Sequence, residues 1–144
     1  MTIRVQAVID CPIERVFTEY MRPEFREQWD DNVLRAYWAK PDEPIQLGSQ
    51  FHVVVRTMGQ ERDTLRTIVE YDPPVTMTYS TNTAGLQIIS QQTFEAIDQQ
   101  TRLTMHAHIS GNGLLSILAW VIGQQLKGHM YEGLLCFKAL VEAH

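Results

Sequence analysis

From Gln50 to Ser110 the sequence alternates apolar and polar residues in one run after another, and beyond Gly111-Asn112-Gly113 the period becomes helical and holds to about Glu142. A chain patterned this way stacks consecutive antiparallel strands and lays one long helix across them. The predicted strands are Gln50 to Met58, Glu61 to Tyr71, Val75 to Thr81, Leu86 to Ile97 and Arg102 to Ser110. Gly59-Gln60 suits a tight II′ turn between the first two, and Pro73-Pro74 stops the second. Ahead of them, Thr2 to Ile9 alternates as a strand and Val33 to Ala39 reads as another. Between these two, Pro12 and Pro23 open short helices to about Tyr20 and Trp29. Pro41, Pro44 and Gly48 mark a loop. The expected class is α+β: a curved antiparallel sheet of about seven strands wrapped around a long C-terminal helix, with two short helices after the first strand.

Alternation also assigns the faces. Inward stand Phe51, Val53, Val55; Leu65, Thr67, Val69; Val75, Met77, Tyr79; Leu86, Ile88, Ser90, Gln92, Phe94; and Leu103, Met105, Ala107, Ile109. His52, Arg56, Arg62, Arg66, Glu70, Gln91, Glu95, Arg102, His106 and His108 are expected in solvent.

The chain's 144 residues, 44% of them hydrophobic, suffice for one domain spanning residues 1–144 with a core and an internal cavity. Its net charge of −5, with no basic run, argues against nucleic acid, whose binding rests on clustered positive charge. The start, Met1-Thr2-Ile3-Arg4-Val5, lacks the apolar core of a secretory signal, so a cytoplasmic location is expected. Leu114 to Ile122 falls far short of the roughly 20 residues that span a bilayer. Cys11 and Cys136 have no C-x-x-C partner and read as free thiols.

On the long helix, 100° per residue places Leu115, Leu118, Ala119, Ile122, Leu126, Met130, Phe137 and Leu140 on one stripe facing the sheet, with His129, Gly133 and Cys136. Gly133 either lets the helix approach closely or opens room for a ligand. His129 is the stripe's titratable group, with Tyr79 and Gln92 as expected partners. No inward carboxylate is visible apart from Asp63 near a strand end, so a complete acid–base pair is not legible. Cys136 lies about 10.5 Å along the helix from His129, too far for a Cys–His dyad. His106 and His108 offer two arms of a metal site without a third, so no metal or other cofactor is expected. Gly111-x-Gly113-x-x-Ser116 imitates a dinucleotide fingerprint, but an antiparallel sheet removes the βαβ setting that gives it meaning. The expected cavity is lined by Phe51, Tyr79, Gln92, Met105, Leu118, Ile122, Leu126, His129, Met130, Gly133 and Phe137, with no catalytic residue assigned.

Pro12, Val16-Phe17, Pro23, Trp29 and Val33 near the start, Gly48 ahead of Phe51, the Glu70-Tyr71-Asp72-Pro73-Pro74 corner, Thr101, and Leu134, Lys138 and Leu140 in the last helix form a pattern covering essentially the whole chain. It resembles the SRPBCC superfamily, which has the helix-grip fold of START lipid-transfer domains and pollen-allergen proteins, and within it the polyketide cyclase/dehydrase-like branch. Asp98-Gln99-Gln100 stands where relatives usually carry glycines, a change confined to the turn. The resemblance implies a cavity holding a hydrophobic or amphipathic small molecule, as a carrier or sensor. By the same resemblance, the alternative is a cyclase/aromatase- or dehydratase-like enzyme using that cavity. A third reading starts from Ile117, Trp120 and Val121, which lie off the inner stripe. They are covered by the Pro41 to Gly48 loop or the short helices, or else they serve self-association or a peripheral membrane contact.

Overall fold

The computed structural model describes residues 1–143 apart from Met58 and Ala84. Its elements are β1 (Thr2–Ile9), α1 (Ile13–Tyr20), α2 (Pro23–Trp29), β2 (Val33–Trp38), β3 (Gln50–Thr57), β4 (Gln60–Asp72), β5 (Thr76–Thr83), β6 (Leu86–Ile97), β7 (Gln100–Ser110) and α3 (Leu114–Glu142). All seven strands pair antiparallel in the order β1-β7-β6-β5-β4-β3-β2. The helix α3 packs on β1, β7 and α2, completing the expected helix-grip fold.

Turn chemistry sets the hairpins. Ile97 pairs with Gln100, leaving Asp98-Gln99 as a two-residue turn in which Asp98 takes a left-handed φ of 55°. Aspartate tolerates that region because its short side chain can bond locally. Between β3 and β4, Thr57 pairs with Gln60, so Gln60 belongs to the strand and not to the turn expected on Gly59-Gln60. The end of the predicted strand, Met58, lies outside the described residues.

In β4 the inward set is displaced by one residue from the simple alternation. Phe51 stands opposite Arg66, and Ile68 opposite Tyr79, so Thr64, Arg66 and Ile68 share the concave face. Leu65 and Val69, expected there, are exposed at 42% and 50%. A bulge between Ile68 and Glu70 then restores the phase, and Tyr71 pairs with Met77. Because successive side chains alternate faces, a one-residue slip moves the whole set, so Arg66 enters the interior that sequence pattern denied it. Val75, also expected inside, is exposed because β5 begins one residue later.

The interior is closed by aromatic rings. Phe137 of α3 meets Tyr20, Phe25 and Trp29 edge-on at 5.5, 5.8 and 5.7 Å between ring centroids. This is the T-shaped geometry that ring quadrupoles favour. Gly133 lets α2 come this near: a Cβ there would stand 3.3 Å from the Trp29 ring. Leu134, Phe137 and Val141 are fully buried, whereas Cys136, expected on the stripe, is exposed. The end of α3 is tied to the end of β1, where Glu142 accepts from the Asp10 backbone N–H at 2.9 Å.

At the other end of α3, Leu114, Ile117, Trp120 and Val121 are exposed at 86%, 63%, 59% and 43%. The expected cover from the Pro41 to Gly48 loop or the short helices is not there. No helix among the described residues is long and apolar enough to cross a membrane.

The β4 register has a direct energetic consequence. Ile68→Ala empties a fully buried site and is expected to cost about 2–4 kcal/mol, while Leu65→Ala on the outer face costs less than about 1 kcal/mol. Urea denaturation of the two variants measures this, and the reverse order would put β4 in the alternate register.

Candidate functional site

Between the concave face of the sheet and the middle of α3 lies a cleft of about 120 Å³. Cross-strand neighbours share a face, so the pairing register builds its floor in rows. Arg66, Thr81 and Ile88 form one row, and Tyr79, Ser90 and Ala107 the next, with Met105 beside them. Leu126, His129 and Met130 of α3 form the opposite wall. The third side is the end of α2, where Arg26 and Trp29 stand one turn apart on one helix face and Asp30 follows.

The cleft is apolar on one side and cationic on the other. Arg26 is buried, its Cζ 4.8 Å from the Trp29 ring centroid and 5.8 Å from those of Tyr20 and Tyr79. Its Nη2 donates to the Tyr20 hydroxyl at 3.3 Å, and its Nη1 lies 3.9 Å from Asp30 Oδ2. Arg66 is partly buried and donates from Nη1 to the Tyr79 hydroxyl at 3.0 Å, with its Cζ 5.1 Å from that ring. The Arg66 Nε is sealed from water without a hydrogen-bond partner among the described residues. No Arg26 nitrogen among the described residues is sealed and unpaired in this way, so the deficit lies at Arg66.

The ionisable groups respond accordingly. Burial alone would raise the Tyr79 phenol, but the Arg66 and Arg26 charges outweigh burial and hold it down to about 8. Burial pushes the Arg66 guanidinium below its ordinary value, opposed by Tyr79 and reinforced by Arg26. Across the mouth, His129 Nε2 donates to Asp30 Oδ1 at 2.8 Å, joining α3 to the end of α2. That hydrogen bond raises the His129 pKa. Burial works against the Asp30 carboxylate, yet His129 and Arg26 together lower its pKa.

Of the residues predicted to line a cavity, Tyr79, Met105, Leu126, His129 and Met130 converge on this cleft. The others stand elsewhere. Gln92 is buried beside it, with Nε2 donating to Ser90 Oγ at 2.7 Å. Phe51 is edge-on to Tyr79 at 5.6 Å, and Phe137 and Gly133 belong to the contact with α2. Ile122 packs with Ile3, Leu86, Ile109 and Ala119, and Leu118 is exposed. The His129 partner is Asp30, not Tyr79 or Gln92, and Asp63 sits outside with His52 at 3.0 Å. Arg26, Trp29, Asp30 and Arg66 escaped the sequence reading. The i, i+3 spacing of Arg26 and Trp29 was the available signal for the first two. Among the described residues no three histidine, cysteine or acidic side chains gather where they could hold a metal ion.

Residues 1–142 match the sequence profile of the family described as "Polyketide cyclase / dehydrase and lipid transport". The chain belongs to this family. No curated protein matches the chain by sequence. Among solved structures, TTHA0849 from Thermus thermophilus is similar at a TM-score of 0.79 and 14% identity, covering 99% of this chain and 98% of that one. Ara h 8.0201 is similar at 0.73 and 14% identity, covering 100% and 99%. The di-domain ARO/CYC StfQ from the steffimycin biosynthetic pathway is similar at 0.75 and 13% identity, covering 99% of this chain and 51% of that one. At these identities the likeness is one of fold.

In this family member the pair at the cleft mouth makes stability depend on pH. His129 is raised above its ordinary 6.5, so its contribution is complete below 6.5 and is lost as pH rises through the higher folded value. Asp30 is lowered below 3.8, so its contribution is complete above 3.8 and is lost as pH falls through the lower folded value. His129→Gln is therefore expected to flatten the fall of the urea midpoint above about pH 6.5. Identical profiles for variant and wild type would show that the pair contributes nothing.

Proposed function

We propose that the protein binds an amphipathic small molecule between sheet and helix, as a carrier or sensor. The observation that carries this reading is a cleft in which apolar side chains of both layers, Ile88 and Met105 on the sheet and Leu126 and Met130 on α3, adjoin the polar groups Arg66, Tyr79 and Ser90. Apolar walls supply affinity at about 25 cal/mol per Å² of surface removed from water, and a few fixed polar groups orient one end. Family membership supports the same reading. The volume of about 120 Å³ is close to the roughly 150 Å³ that an engineered apolar cavity needs for one benzene ring. One ring or short chain fills it.

A cyclase- or dehydratase-like enzyme is the second reading. The Tyr79 phenol, held near 8 beside two guanidiniums, is a proton-transfer group inside the cleft.

Extraction of the purified protein followed by mass spectrometry tests both. The expected result is an amphipathic compound whose occupancy falls several-fold in Leu126→Trp, where the larger side chain fills the cleft from its rim. Recovery of that compound unchanged after incubation with fresh protein supports binding alone. Loss of water or isomerisation supports the enzyme. Equal occupancy in a folded Leu126→Trp variant would move the ligand to another part of the molecule.

A further inference from the structure

Two guanidiniums meet at the floor of the cleft, and their surroundings differ. Arg26 is ringed by Tyr20, Trp29 and Tyr79 and has a carboxylate 3.9 Å away. Stacked rings and a nearby anion offset much of what burial costs a cation. Arg66 has less: one phenol hydroxyl at 3.0 Å, the face of the same ring, and an Nε without a partner. Asp30, the sole carboxylate among the described residues lining the cleft, is already engaged by His129 at 2.8 Å. The floor therefore holds more positive than negative charge, inside a protein whose net charge is −5. An excess of charge held out of water is costly unless something compensates it.

We propose that Arg66, backed by Arg26, receives the carboxylate of an acid-headed ligand whose apolar body lies against α3. This rests on the binding reading above and names the class of molecule. Three features fit a carboxylate head on an apolar body, and the phosphate arm of the test below separates it from other anions. A guanidinium presents parallel N–H donors in a plane, which two carboxylate oxygens match. The apolar part of the lining, Ile88, Met105 and Ala107 on the same sheet face with Leu126 and Met130 opposite on α3, takes the uncharged body of such a molecule. The space of about 120 Å³ suits one planar head with a ring or short chain behind it. Tyr79 accepts from the same guanidinium and so fixes its plane. Arg66 is a binding residue in this account, and Tyr79 a positioning residue.

The test compares benzoate with benzamide, which have nearly the same shape and differ in charge, by calorimetric titration of the wild-type protein. A charge-assisted pair predicts that the benzoate binds about 10- to 100-fold tighter. Arg66→Gln should bring the two within about threefold, and Arg66→Lys, which keeps the charge and loses the fork, should fall between. Circular dichroism checks the fold of both variants, and the wild-type comparison decides the matter without them. Equal affinity for benzoate and benzamide overturns the carboxylate assignment while leaving the cleft as a binding site. Displacement of bound benzoate by equimolar inorganic phosphate overturns the choice of carboxylate. Binding of neither compound overturns the binding reading itself together with this inference.

Discussion

Placing two guanidiniums between a sheet and a helix is the constraint around which the rest of this structure is arranged. A cation withdrawn from water is tolerated where rings, hydroxyls and carboxylates replace its hydration. Arg26 receives all three, from Trp29, Tyr20 and Asp30. Arg66 receives one hydroxyl and one ring face, and its Nε goes without a partner among the described residues. That imbalance accounts for the depressed Tyr79 phenol, because a negative charge on its oxygen relieves both cations. It also gives the cleft a chemical polarity that an apolar pocket alone would lack.

The fold supplies the geometry in separable pieces. A bulge between Ile68 and Glu70 sets the phase of β4 and turns Arg66 inward opposite Phe51 and Thr81. The missing side chain at Gly133 lets α3 approach the Trp29 ring, and Phe137 holds α2 from the same helix. With α2 so placed, Arg26 and Asp30 reach the cleft, and His129 closes the connection back to α3. Substitution of Gly133 therefore acts first on the contact between helices, and through it on Arg26.

Element order and the α+β class were legible because each rests on a period: two residues for strands, 3.6 for α3. The apolar half of the cleft was legible for the same reason, since Met105, Leu126 and Met130 fall on predicted inner faces. The cationic half was not. Alternation assigned Leu65, Thr67 and Val69 to the interior of β4, and a hydrophobic pattern gives no warning when a strand instead buries Arg66 beside Ile68. Asp30 lies just past the end of a helix, where no period applies, and reaches His129 across 99 residues of sequence. The family pattern conveyed the fold and left these polar groups unmarked, as expected when function resides in side chains grafted onto a shared scaffold.

The most direct measurement is the titration of Tyr79 by NMR of ring-labelled tyrosine, in the wild type and in Arg66→Gln. Excess positive charge at the cleft floor predicts a midpoint near 8 in the wild type, and a shift to or above the ordinary 10.0 once Arg66 is neutralised. A Tyr79 that titrates at 10.0 or higher in both proteins would contradict the account, because the two guanidiniums would then be fully compensated by groups other than this phenol.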